Sequence, residues 1–296
     1  MLAEAIVLDP TDPRRRSIGR MDFLGGVILH CRDPRFGGWS DVALDPASDR
    51  VVMISDRGHF LEARLESDAS GAPLGLVEAR LGPLIDPAGR RVIGRRADAE
   101  GLAALADGGF AVSFEQAHRI WRYPSATPVF ARPPVELPPI ADLAEMATLN
   151  GGVEAIAQLP DGSLLALAEQ VGAGGLHPAW IGGEAGWRRT AYRAAPGHDP
   201  TGACLLPGGD LLVLERRFEL LSLAARIARV PAARLSGTEP LVGEPIGRIA
   251  APLTVDNFEG IAARRAPDGA TRIYLVSDDN FLFFQRTLLF AFALAG

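Results

Sequence analysis

Acidic residues stand at corresponding places along this 296-residue chain. Asp41, Glu100, Glu154 and Glu259 each open a short apolar run, while Thr201 takes that place in a further run, with Asp199 two residues before it. Asp56, Glu115, Glu169, Glu215 and Asp278 each close the apolar run that follows. Carboxylates gathered in one place repel unless some take up protons, pair with arginine or bind a cation. Three outcomes are open. A hard divalent cation, Ca²⁺ or Mg²⁺, suits oxygen-only donors, and Asn257 and Asn280 add neutral oxygens. An ion-pair network with Arg57, Arg216, Arg217 and Arg286 is the second. Plain hydrogen bonds to backbone N–H groups at strand ends are the third.

A repeat must bring these residues together. It runs through 39–58, 99–115, 152–169, 200–217 and 257–280. Each copy is an apolar alternation, a Pro/Asp/Gly turn and a second apolar run. The runs are too short for ordinary helices, and turns such as PDG and PGGD favour hairpins. Weaker strand candidates follow, for example RIWRYP then TPVFARP, and AARIARVP then LVGEPIGRIA. Four strands in about 50 residues is the arithmetic of a propeller blade. The chain is therefore expected to be all-β, a single β-propeller over 1–296. Five blades of four antiparallel strands are favoured, with six as the alternative because 2–8 and 176–195 are poorly explained. The run DFLGGVILH at 22–30 is expected to enter the last blade as its outer strand and close the ring. Residues 132–152 read as an insertion between blades two and three with a short helix capped by Asp142. The Gly-rich stretch 171–187 reads as a loop.

In such a ring the starts of the inner strands and the ends of the second strands share one face, so the acids are predicted at one mouth. Several other chemistries are excluded. The chain has 36 acidic and 30 basic residues, a net charge of −6, which disfavours nucleic acid as a partner. It contains no lysine, so no lysine-based P-loop or Schiff base exists. No 18-residue apolar run predicts a membrane span. There is no G-x-S-x-G and no H-E-x-x-H. His59, following SDRG, is the histidine best placed for the mouth, with His198 next. Cys31 and Cys204 are the only cysteines, and the sequence leaves their pairing open. Trp39, Trp121, Trp180 and Trp187 fall on or beside expected strands, as packing residues do.

DPRFGGWS at 33–40, SDRG at 55–58, ERRF at 215–218, NFEGIAA at 257–263 and SDDNF…QRTLL at 277–289 together resemble the phytase-like propeller family, known for esterase-like activity of phytase. The resemblance implies ester or phosphate-ester hydrolysis on a small molecule, aided by a divalent metal, with Ca²⁺ favoured. It implies Glu100, Glu154, Glu259 and Asp278 as metal ligands, with Asn257 and Asn280 beside them. Glu259, Glu154, Arg57 and Arg216 are then the catalytic candidates, and Arg57, His59, Arg216 and Arg286 the substrate-binding ones. The strand starts are also similar to those of gluconolactonase-like propellers, which implies a lactone as a second substrate class. A non-catalytic propeller that binds a ligand or protein is the remaining alternative. The resemblance implies a periplasmic or secreted location, while the start MLAEAIVLDPTDPRRR lacks the pattern of a signal peptide, which keeps a cytoplasmic location as the alternative.

Overall fold

The turns decide the hairpins. At Leu105–Gly109, Leu159–Ser163, Leu206–Asp210 and Ala266–Ala270 the chain reverses with the same bonds, the fourth residue's N–H donating to the first residue's carbonyl at 2.8–2.9 Å. That fourth residue is Gly108, Gly162, Gly209 or Gly269, with φ from 81° to 91°, a conformation that penalises any side chain. Asp107, Asp161 and Asp268 each accept a backbone N–H two residues on, at 3.0 Å, which fixes the turn.

The computed structural model describes residues 1–45, 48–143, 151–219 and 222–295. Five sheets, antiparallel but for one short parallel pair of Gly186–Arg193 with Leu241–Val242, form a five-bladed propeller, so the six-bladed alternative is set aside. The inner strands are Trp39–Leu44, Ala99–Ala104, Val153–Gln158, Asp199–Leu205 and Asn257–Arg265. Each lies beside the next around the ring, and the fifth returns to the first. Blade five takes Met21–His30 from the N-terminus. This strand pairs with the C-terminal Leu288–Leu294, from Ile28↔Leu288 at one end to Met21↔Leu294 at the other. The expected closure is thus observed. Residues Leu2–Ile6 add a further strand outside Met21–His30.

The poorly explained segment 176–195, which overlaps the expected loop at 171–187, is largely strand: His177–Gly183 and Gly186–Arg193 are the third and fourth strands of blade three. Only Glu184 and Ala185 separate these two strands, so the flanking glycines serve a tight hairpin. Blade two's outer strand is Val135–Glu136 rather than the expected TPVFARP stretch. Residues 132–143 are therefore partly blade, and Leu137, Ile140 and Leu143 are buried against it. The expected helix falls mostly on residues 144–150, outside the described residues. Asp142 instead accepts the Trp180 indole N–H at 2.8 Å and faces Arg189 at 3.0 Å. Trp39, Trp121 and Trp180 are fully buried, as packing residues should be. Cys31 and Cys204 are both free.

Candidate functional site

A β-bulge opens every inner strand. The unpaired residues are Ser40, Glu100 with Gly101, Glu154, Thr201 and Glu259. A bulge re-aims the side chain it carries, and here it does so at the same level in all five blades. Beside this tier lies a second. Asp278 pairs with Asn257 and Arg216 with Asp199, each one residue past the bulge partner in its strand. The same place is held by Asp56, Glu115 and Glu169 in blades one to three. Two sequence alignments are corrected by this register. Ser40, not Asp41, corresponds to Glu100, and Arg216, not Glu215, corresponds to Asp278. A bulge absorbs one residue without changing the apolar pattern around it, so the pattern alone does not locate it.

The two displaced acids have other work. Asp41 is fully buried and accepts the N–H of Val42 at 2.8 Å and of Leu102, on the next blade, at 2.7 Å. It also accepts the N–H of Ile261 on the blade before, so it ties three inner strands together. Glu215 is fully buried, accepting Tyr192 Oη–H at 2.5 Å and Arg226 Nη1–H.

Arg216 is the guanidinium that blade four sends into the acids. Its Nη1 donates to Asn257 Oδ1 at 2.9 Å and to Glu259, and its Nη2 to Glu169 at 2.9 Å. Asn257 Nδ2 also donates to Glu259 at 2.7 Å. Burial nevertheless pushes Glu259 up to about 7, against the pull of Arg216 and with repulsion from Glu169. Glu154 lies well above the usual range through burial, then repulsion from Glu169, Glu115 and Glu259, partly offset by Arg216. Glu100 is raised by burial and by Glu154, Asp98, Glu115 and Glu259. Asp278, which accepts Asn280 N–H at 2.7 Å, is raised to about 8 by burial. Asp56 is raised to about 6 by burial, and its Oδ1 is buried without a hydrogen bond.

These groups can hold a cation. Carboxylate oxygens of Asp98, Glu100 and Glu115 all lie within 4.8 Å of one another. Burial, first of all, raises both Asp98 and Glu100. The donor set is hard oxygen throughout, which fits Ca²⁺ or Mg²⁺. Glu115 is partly engaged, accepting N–H groups of Gly151 and of Gly152 (2.8 Å). Asp98 stands two residues before Glu100, as Asp199 stands before Thr201 and Asn257 before Glu259, so that spacing is the signal by which the sequence could have located it.

A cleft of about 750 Å³ opens beside Arg216, Asn257 and Glu259, and Asn280 and Arg286 also line it. Arg286 donates from Nε to Asp256 at 2.9 Å. Five predicted residues thus share one cleft. Arg57 and His59 do not line it. Arg57 is exposed, with its guanidinium 3.3 Å from the centre of the Phe281 ring. His59 is buried on blade one, where Arg91 Nη2 lies 2.9 Å from its Nε2, and burial followed by Arg91 lowers its pKa. His198 is buried and sits 3.1 Å from the Pro196 carbonyl, bonding within its own loop.

Fold and site define a five-bladed propeller with an acidic mouth and one inserted arginine. The chain belongs to the phytase-like family, described as esterase-like activity of phytase, whose model matches residues 34–281. No curated protein matches it. Among solved structures it is similar to a luciferin-regenerating enzyme (11% identity, 98% of this chain and 95% of that one, TM-score 0.48). The PQQ-bound aldose sugar dehydrogenase of Streptomyces coelicolor is 14% identical over 90% and 98% of the two chains, with a TM-score of 0.45. Virginiamycin B lyase of Staphylococcus aureus is 10% identical over 99% of each, also at 0.45. None of these likenesses bears on the chemistry. Among the described residues no helix is long and apolar enough to cross a membrane.

Proposed function

We propose that the protein is a divalent-cation-dependent hydrolase of a small ester or phosphate ester, acting where the acidic mouth meets the cleft. The observation that carries this reading is Glu259. It is a buried carboxylate poised near neutrality, on the wall of a cleft that also holds two arginines. Family membership supports the reaction class.

Glu100 and Glu154, with Asp98 and Glu115, would hold the cation, Ca²⁺ being the first candidate. When bound, it polarises the ester oxygen and acidifies water. Asp278, Asn280 and Asn257 stand on the blade-five side and would complete or orient that set. Glu259 takes the proton of the attacking water, since a base works best with a pKa near the operating pH. Arg216 keeps Glu259 oriented and, with Arg286, offers N–H groups to the oxygens on which charge develops. Thr201 leaves blade four's bulge uncharged, which gives Arg216 room among the acids. Arg57 then acts at the rim, outside the bond-breaking step, and His59, buried against Arg91, takes no part in it. A lactone is an internal ester, and the same arrangement serves it.

The test uses purified full-length protein, a p-nitrophenyl ester and p-nitrophenyl phosphate, with and without a chelator. Turnover should be chelator-sensitive, and Glu259→Gln should lower kcat by about 10²–10⁴-fold, with an unchanged circular dichroism spectrum. Undiminished activity in that variant, or in chelator, overturns the reading. A protein that binds ligand but turns over neither ester is the non-catalytic propeller instead.

A further inference from the structure

The cleft beside Arg216 has two unlike sides. The polar side carries Arg216 and Arg286, and each of them already faces a carboxylate, Glu259 and Asp256 respectively. The other side is apolar, formed by Phe218, Leu223, Val255, Leu282 and Phe284. Three of these stay open to solvent: Phe218 is 69% exposed, Phe284 64% and Leu282 43%. Apolar side chains left exposed together around a concavity mark a binding surface more often than chance.

The segment that presents them is held firmly. Asp279 accepts the N–H groups of Gly38 (3.0 Å) and Phe281 (3.1 Å) and the Thr287 hydroxyl (3.1 Å). Asn280 Nδ2 donates to Gln285 Oε1 at 3.0 Å across the loop. Phe281 turns inward under Arg57, while Phe283 and Phe284 turn outward with ring centres 5.3 Å apart, edge to face. The loop thus has one ring for anchoring, Phe281, and one for the cleft, Phe284.

Charge completes the argument. The two cleft arginines are already paired with three carboxylates, Glu259 and Glu169 on Arg216 and Asp256 on Arg286, and beyond them lie Glu154 and Asp278. A ligand bearing many negative charges meets repulsion there with little to offset it. We propose that this site takes an ester with an alkyl or aryl group on one side and a head carrying no more than one or two negative charges. The apolar group lies against Phe218, Leu282 and Phe284, and the head faces Arg216 and Arg286. This rests on the hydrolase reading for the word ester; the ligand class itself rests on the cleft.

Calorimetric titration of the full chain with methylphosphonate, hexylphosphonate and inositol hexakisphosphate tests it. Hexylphosphonate should bind about tenfold more tightly than methylphosphonate, as partial burial of the alkyl chain requires. The hexakisphosphate should bind no more tightly than methylphosphonate. Phe284→Ser should cut the hexyl advantage by about threefold while leaving methylphosphonate unchanged, and Phe283→Ser, outside the cleft lining, should cut it less. Equal affinity for the two alkylphosphonates, no binding of either, tightest binding of the hexakisphosphate, or an unaltered hexyl advantage in the Phe284 variant would each overturn the proposal. Because these ligands are not hydrolysed, a protein that shows the hexyl preference yet cleaves no ester keeps its ligand class and loses its assigned reaction.

Discussion

Arg216 occupies a place where the other four blades put a carboxylate, and that one exchange sets the electrostatics of the mouth. Around it, burial outweighs stabilisation for Glu259, Asp278 and Asp56, which titrate at about 7, 8 and 6. An acid raised in the folded state keeps a proton that the unfolded chain releases. For Asp278 that window runs from its ordinary 3.8 to about 8. Stability should therefore fall as pH rises through the window, and the favourable contribution is present only on its acidic side. In chelator, the wild-type chain should melt higher at about pH 5.5 than at about pH 8, and Asp278→Asn should narrow that difference. Scanning calorimetry at the two pH values decides it; a wild-type protein that melts higher in the alkaline buffer contradicts the crowding of these acids. Added Ca²⁺ should raise the alkaline melting temperature most, since it replaces protons that are no longer there.

At the scale of the element, the bulge and the strap matter most. Asp41 sits one residue past its bulge and bonds to backbone on three inner strands. The corresponding residues in blades two, four and five are Gly101, Gly202 and Gly260. A Cβ on Gly260 would lie 2.8 Å from Asp41 Cα and from Val42 N, so the glycine is what lets blade one come close. Removing a buried acceptor leaves its donors unsatisfied at about 1–3 kcal/mol each. Asp41→Ala should lower stability in urea by about 2–4 kcal/mol, and Asp41→Asn, which keeps one acceptor, by less than half of that. Wild-type stability in the alanine variant would show that the strap contributes nothing. The hairpins were legible because PDG and PGGD turns and short apolar runs have one reading. The acids were legible as a set, but their register was not. Bulges at Ser40 and Thr201 shift the neighbouring charges by one residue, which is how Asp41 and Glu215 came to stand in for Ser40 and Arg216. Outermost strands were harder still. Val135–Glu136 is two residues long, and Leu241–Val242 joins blade three in parallel from beyond blade four's third strand. The cleft's apolar wall had no repeat to reveal it, since Phe218 and Phe284 come from different blades and from outside the aligned runs.

For the whole molecule, closure rests on pairing Met21–His30 with Leu288–Leu294, the two ends of the chain. Phe23 packs on Phe290 and Phe292 at 5.2 and 5.4 Å between ring centres, so the seam is also a core. The strand Leu2–Ile6 lies outside that seam and is largely exposed. Deleting residues 1–6 should change the melting temperature by no more than about 4 °C, whereas deleting residues 1–30 exposes a long apolar strand edge and should leave an aggregating chain. Size-exclusion chromatography and thermal melts of the two truncations distinguish them, and a monomeric, cooperatively melting product of the longer deletion would refute the closure.

The same seam governs when the protein becomes competent during synthesis. The cleft draws its walls from residues 216–223 and 251–286, and the strand that steadies the latter, Leu288–Leu294, follows both in the chain. Until Leu288–Leu294 has been made, a growing chain holds four blades and a loose end, with Met21–His30 waiting for a partner. Contacts that span nearly the full length of a polypeptide form slowly. Competence for the proposed reaction therefore waits on the pairing of Leu288–Leu294 with Met21–His30, which shuts the ring.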